Sequence, residues 1–145
     1  LRRGVELMHF GHAHLTRALD AVLEPEGLGR AHQRALYFIA RQPDVSVSEL
    51  LRLLAITKQS LGRVVSELEA RGLVVARQGS EDRRQRLLRL TDEGMTLEAE
   101  LFQRLSAALG AAYAAAGQDA VGGFWAVLEG LVPPADRARI PALRR

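Results

Sequence analysis

Cysteine is absent from the 145 residues. That excludes disulfide staples, thiolate metal sites and thiol redox sensing, and it fits a reducing compartment. No apolar run approaches the roughly 18 residues of a membrane span. No secretory-signal pattern is visible either, so the expected location is cytoplasmic. Catalytic signatures are missing: there is no G-x-S-x-G, no P-loop and no HExxH. The expectation is therefore a chain that is not an enzyme and carries no cofactor and no metal. Aromatic residues are only 5%. Lysine is nearly absent, since all 20 basic residues are arginines except Lys58. The first residue is Leu1 rather than Met, so further residues are expected to precede it.

What is present is a helix-favouring composition, 48% hydrophobic and dominated by alanine and leucine, long enough for one domain with its own core over 1–145. The net charge is only +3, but it is unevenly placed. Residues 46–91 hold Arg52, Lys58, Arg63, Arg71, Arg77, Arg83, Arg84, Arg86 and Arg89 against Glu49, Glu67, Glu69, Glu81 and Asp82, a net +4, which leaves −1 for the rest. A basic middle between near-neutral ends suggests a nucleic-acid footprint. A solvated charged surface explains the same distribution, and charge alone does not choose.

The pattern along the chain supplies elements. Val5, Met8, His12, Leu15, Leu19 and Val22 alternate by three and four, a heptad-like seam on a helix over 3–24 that Pro25 and Gly27 end. A second helix covers about 31–41, with His32, Leu36, Ile39 and Ala40 on one side. Ser46 and Glu49 form a capping box, with Val45 and Leu50 placed as a hydrophobic staple, and the helix they open stops near Ala55. Thr57 caps another helix over 57–71, whose apolar face is Leu61, Val64, Val65 and Leu68. Two short helices across so tight a turn make a helix-turn-helix. Residues 73–78 and 85–90 read as two strands joined through Gly79, Ser80, Glu81 and Asp82. Thr91 caps a long helix to about 115, and a last one covers about 118–131 with Val121, Phe124, Trp125, Leu128 and Leu131 on one face. The fold class is mainly α, a winged helix-turn-helix with a two-stranded wing and flanking terminal helices.

In a helix-turn-helix the second helix enters the major groove, N-terminal residues first. With its apolar face buried, Lys58, Gln59, Gly62, Arg63 and Ser66 point outward. Arginine and lysine address guanine, glutamine addresses adenine, and the hydroxyls of Thr57 and Ser60 can reach phosphate. Arg83, Arg84, Arg86 and Arg89 crowd one arm of the hairpin and Arg77 lies on the other. A hairpin tip fits a minor groove, where negative potential favours arginine. Charged protection of an edge strand is the plainer explanation, though it does not require arginine over lysine.

The run Leu68, Glu69, Arg71, Gly72, Leu73 and Val74, with Asp82, Arg84, Leu90, Thr91 and Gly94 in the spacing D-x-R-x-x-x-x-x-L-T-x-x-G, resembles the multiple antibiotic resistance regulator (MarR) family of bacterial transcription factors. The helix order fits this resemblance from residue 5 to about 131. It implies a single MarR-like domain with a DNA-binding lobe at 31–91 and dimerisation helices at 3–24 and 92–132. It also implies a homodimer that represses or activates at a pseudo-palindromic operator on double-stranded DNA. Arg84 would sit at the wing tip and Asp82 would orient nearby arginines. Gly62 departs from the Ser or Thr such proteins often carry there, which removes a DNA contact and costs roughly 1 kcal/mol of helix propensity. The resemblance further implies an effector pocket for small aromatic or anionic molecules, for which His12, His32, Arg34 and Tyr37 are candidates; core packing, with Arg34 on the surface, explains each singly.

Two other functions remain open. One is a non-specific architectural DNA-binding protein, which would bind any duplex with a comparable salt slope. The other is a metal or haem sensor built on His9, His12 and His32; histidines bonded to backbone or carboxylate are the plainer reading of those residues. Ser46, Ser48 and Thr57 are read as caps, and Glu98 and Glu100 as solvated.

Overall fold

The computed structural model describes residues 1–140. In chain order its elements are α1 (Arg2–Leu23), a 3-10 turn (Glu24–Glu26), α2 (Arg30–Arg41), β1 (Val45–Ser46), α3 (Val47–Leu54), α4 (Lys58–Ala70), β2 (Val74–Gln78), β3 (Arg86–Leu90), α5 (Asp92–Ala116), α6 (Gln118–Leu131) and α7 (Pro134–Arg137). The hairpin expected as the wing forms from β2 and β3. A third strand, β1, joins it, so the antiparallel sheet has the order β1-β3-β2 rather than two strands. Two residues carry no alternation to read, and Ser46 announces itself as a helix cap. It serves both roles, pairing with Leu87 and accepting the Glu49 N–H at 3.1 Å on its Oγ. Only this half of the capping box is made; the Glu49 carboxylate holds Arg52 at 3.0 Å instead. The short α7 was not among the elements expected from the sequence; Pro134 starts it as its first residue.

The chain divides into two compact units, Leu19–Phe102 on the one hand and Leu1–Ala18 with the chain from Gln103 on the other. The first unit is built on an apolar core. Ala35, Leu36 and Ile39 of α2, Leu50 and Leu54 of α3, and Leu61, Val64, Val65 and Leu68 of α4 are buried together with Val45, Val74, Leu88 and Leu90 of the sheet. The α4 stripe is the one that its 3.6-residue period predicts. Thr91 fastens this unit's last corner: its Oγ1 donates to the Gly72 carbonyl at 2.6 Å and accepts the Gly94 N–H at 3.0 Å. Gly94 lies so close that a Cβ there would collide with the Leu73 carbonyl oxygen. The spacing of Thr91 and Gly94 is thus a packing requirement of the α5 start against the α4–β2 turn.

In the other unit only Val121 is a buried apolar residue among the described residues. An apolar groove of about 790 Å³ runs between α1, α5 and α6, lined by Leu7, Met8, Leu15, Leu109, Phe124 and Leu128 among others. Tyr113 lies at its side, its hydroxyl accepting the Trp125 Nε1–H at 2.9 Å.

Candidate nucleic-acid interface

α3 and α4 are joined by Ala55, Ile56 and Thr57, a turn tight enough that Ala55 takes a left-handed φ of 51°. Thr57 then caps α4, its Oγ1 accepting the Ser60 N–H at 3.1 Å and donating to the Ser60 hydroxyl at 2.8 Å. With Leu61, Val64, Val65 and Leu68 buried, Lys58, Gln59, Gly62, Arg63 and Ser66 are exposed along one face, with Ser60 at its edge. A Cβ added at Gly62 would meet only open space, so that face is shallow there. The charge on α4 runs against its dipole. Lys58 sits at the N-terminal end and Glu67 and Glu69 near the C-terminal end, opposite to what a helix alone favours. A phosphate set against the N-terminal turn would offset the Lys58 end of that conflict, and Glu67 and Glu69 are met by Arg63 and Arg86.

The wing turn is held from inside. Gly79 donates its N–H to the Gln85 carbonyl at 2.9 Å, and a Cβ at Gly79 would lie 2.5 Å from the Asp82 carbonyl oxygen. Gln78 Nε2 donates to the Arg83 carbonyl at 2.8 Å. Asp82 receives three bonds from Arg84: the backbone N–H at 3.0 Å, Nε at 3.2 Å and Nη2 at 3.3 Å. The Arg84 guanidinium, then its N–H, hold the Asp82 carboxyl below the usual carboxylate range. Arg84 is nonetheless 91% exposed, a cation fixed in direction and still open to solvent.

The remaining wing arginines do not form one surface. Arg86 and Arg89 are three residues apart on β3 and so lie on opposite faces. Arg86 reaches Glu69 of α4 at 2.9 and 3.1 Å. Arg89 makes a two-pronged pair with Asp44, at 2.6 Å from Nη2 and 3.2 Å from Nε, and Arg77 adds a contact to the same carboxylate at 3.5 Å. Arg63 lies 3.9 Å from Glu67, Arg52 pairs with Glu49 and Arg71 with Glu26. Lys58 and Arg83 are the basic residues of 46–91 without an ion pair among the described residues. The sequence reading gave Asp44 no site role. Its signal was strand register: the β1–β3 pairing that sets Val45 opposite Leu88, carried one step back, sets Asp44 opposite Arg89.

The proposed effector residues fall in both units. His12 and His14 line the groove described above, and the His12 carbonyl accepts the Thr16 hydroxyl at 2.9 Å. His32 belongs to the Leu19–Phe102 unit and both its ring nitrogens are engaged. Nδ1 accepts the Gly29 N–H at 3.0 Å and Nε2 meets Glu67 Oε2 at 2.6 Å. Tyr37 packs edge-on with Phe38, centroids 5.2 Å apart, and tilted against Phe102 at 6.2 Å, while Arg34 is exposed. Among the described residues no three histidines or carboxylates group as metal ligands, so His9, His12 and His32 make no such constellation. Glu98 is not fully solvated as expected: it is half-buried, and desolvation raises its pKa against the opposing charge of Arg41. No helix among the described residues is long and apolar enough to cross a membrane.

Comparison with known proteins agrees with the fold. A model described as the MarR family matches residues 26–85. The chain is 44% identical over 144 residues to the HTH-type transcriptional regulator PetP of Rhodobacter capsulatus, a match covering 99% of this chain and 87% of that protein. It is similar to the crystal structure of CouR from Rhodococcus jostii bound to p-coumaroyl-CoA, with 26% identity, a TM-score of 0.75, and coverage of 90% of this chain and 92% of that one. It also resembles in fold a mutant MarR from E. coli complexed with operator DNA, at 22% identity and a TM-score of 0.73, with coverage of 88% and 92%. The match to PetP over nearly the whole chain, on a winged helix with a capped second helix and an Asp82-held Arg84, establishes that the chain belongs to the MarR family of transcription regulators, which is not an enzyme family.

Proposed function

We propose that this chain is a cytoplasmic, non-enzymatic transcription regulator that binds double-stranded DNA sequence-specifically as a homodimer on a pseudo-palindromic operator. The observation that carries the reading is the pairing of an exposed polar face on a capped helix with a wing arginine fixed by its own carboxylate. In this reading α4 lies in the major groove. Arg63, Lys58 and Gln59 face base edges, and Thr57 and Ser60 face phosphate. Arg84, oriented by Asp82, enters the adjacent minor groove, and Arg83 meets the backbone. Arg86 and Arg89 flank that surface. The lobe at 31–91 carries these contacts, and the terminal helices at 3–24 and 92–132 carry the dimer. The exposed apolar side chains of α1 and α6 support the latter, because a patch of that kind on one copy calls for cover by another.

Binding is modulated by a small aromatic or anionic effector, a reading supported by the p-coumaroyl-CoA held by CouR. His12, His32, Arg34 and Tyr37 are the residues proposed to respond to it. Selection of duplexes from a random library by the purified protein tests the function. An enriched inverted repeat with half-sites about one helical turn apart is expected. Recovery of sequences no different from the input would leave only an architectural, sequence-independent binder.

A further inference from the structure

Resting on the DNA-binding reading above, we propose that Asp44 limits the protein's affinity for DNA, its carboxylate withholding Arg77 and Arg89 from the DNA phosphates. Asp44 lies between α2 and β1 and is pinned there by its N–H, which donates to the Leu88 carbonyl at 2.9 Å. Its φ is 65°, a left-handed conformation that short polar side chains adopt with least cost. This turn aims the carboxylate across the outer face of the sheet. Arg89 lies there because Leu88 and Leu90 face the core, and Arg77 lies there because Val75 pairs with Arg89 and Arg77 follows two residues on. The result is a carboxylate bridging two guanidiniums, at 2.6 and 3.5 Å. On the opposite face Glu69 meets Arg86 in the same way.

The consequence for recognition is asymmetric. Attraction to phosphate is independent of sequence and grows with each arginine that displaces a counterion, whereas base contacts from α4 do not depend on that count. A carboxylate that occupies two wing arginines lowers binding to every duplex and leaves base reading untouched. It thereby limits sequence-independent affinity, on operator and background alike, and flattens the salt dependence of both. A purely structural role is the competing account: Asp44 would staple the α2–β1 loop to the hairpin, and its loss would lower stability without changing how binding depends on salt.

The test uses the full chain, a random-sequence duplex as probe, and fluorescence anisotropy over a range of salt. Asp44→Asn keeps a side chain suited to the left-handed turn while removing the charge. The variant is expected to bind the random duplex several-fold more tightly, with a log Kd against log salt slope steeper by about one to two units, at ~0.9 per added phosphate contact. In an Arg77→Gln/Arg89→Gln background the same substitution is expected to leave the slope unchanged, since there is nothing left to release. An equal shift in both backgrounds would reduce the effect to net charge and overturn the proposal. An unchanged slope with a lowered melting temperature would overturn it in favour of the staple. If the wild-type chain shows no salt-dependent binding to the duplex, the DNA-binding reading fails and takes the proposal with it. If the wild type binds and Asp44→Asn binds identically, only the proposal fails.

Discussion

The two units of this chain treat their apolar residues in opposite ways. In Leu19–Phe102 each of α2, α3, α4 and the three strands contributes buried aliphatic side chains, although Val75 and Met95 are about half exposed, and Leu36, Leu50, Leu68 and Leu88 have no exposed surface. In Leu1–Ala18 and the chain from Gln103 on, Val5, Leu7, Phe10, Trp125, Val127 and Leu131 are all more than half exposed. The difference shows where each unit's stability comes from. The first closes its core with its own residues, as a lobe that must present one rigid face requires. The second leaves its apolar residues open in the single chain, around the groove along α1, α5 and α6, which supports the proposed contact with a second copy.

Substitutions sharpen the contrast. Leu36→Ala deletes a fully buried side chain and is expected to cost about 2–5 kcal/mol at any protein concentration. Leu128→Ala trims a side chain 37% exposed in the single chain. Its cost is expected to appear as weakened self-association, and so to depend on protein concentration. Chemical denaturation at two concentrations checks both, and a concentration-independent loss at Leu128 would break the comparison. Gly94→Ala forces a Cβ onto the Leu73 carbonyl. It is expected to destabilise the Leu19–Phe102 unit by about 1–3 kcal/mol, read from the thermal midpoint.

Within the lobe the expected effects divide by what each arginine already holds. Arg63→Ala should relax base preference and cost about 1–3 kcal/mol on the selected operator, while Arg89→Ala, already compensated by Asp44, should change affinity little. Asp82→Ala should weaken binding although it removes a negative charge, because Arg84 then loses its direction. Arg84→Ala should lose most affinity on duplexes with A·T-rich flanks, and more than Arg83→Ala. Fluorescence anisotropy at fixed salt on flank-varied duplexes checks these. Tighter binding by Asp82→Ala would show that the carboxylate only repels.

The smallest effect is the pH response of the wing. Asp82 is held down by Arg84, and Asp44 by Arg89, against a partial opposing effect of burial and with help from Arg77. For carboxylates depressed in this way, the stabilising contribution is complete above the unfolded carboxyl range and is lost as pH falls through the folded values. The wing pairs should therefore persist through the ordinary carboxylate range and open only at more acid pH. Carboxyl-carbon NMR titration checks this, and midpoints at ordinary carboxylate values would contradict it.

Local signals in the sequence carried most of the fold. Ser46, Thr57 and Thr91 cap where their spacing says, and the α4 stripe from Leu61 to Leu68 is buried as its period requires. What stayed hidden depends on distance along the chain. Asp44 and Arg89 are 45 residues apart, and His32 and Glu67 are 35 apart. No local rule joins them until the strand register and the packing of α2 on α4 are known. The outward face of α4 was legible because helical geometry dictates it. The division of the wing arginines between the two faces of β3 was legible in principle from alternation, but the carboxylates that meet them were not. The seam on α1 was read as one stripe, yet only Leu19 and Val22 of it are buried, because the stripe serves two different surroundings.

The mass of the wild-type chain in solution at micromolar concentration, by light scattering, tests most directly the claim that one unit is complete and the other waits for a second copy. The account predicts twice the mass of a single chain, falling to that of one chain when Leu7 and Leu128 are both replaced by Glu while the far-UV signature of the fold is retained. A wild-type mass equal to one chain would contradict it.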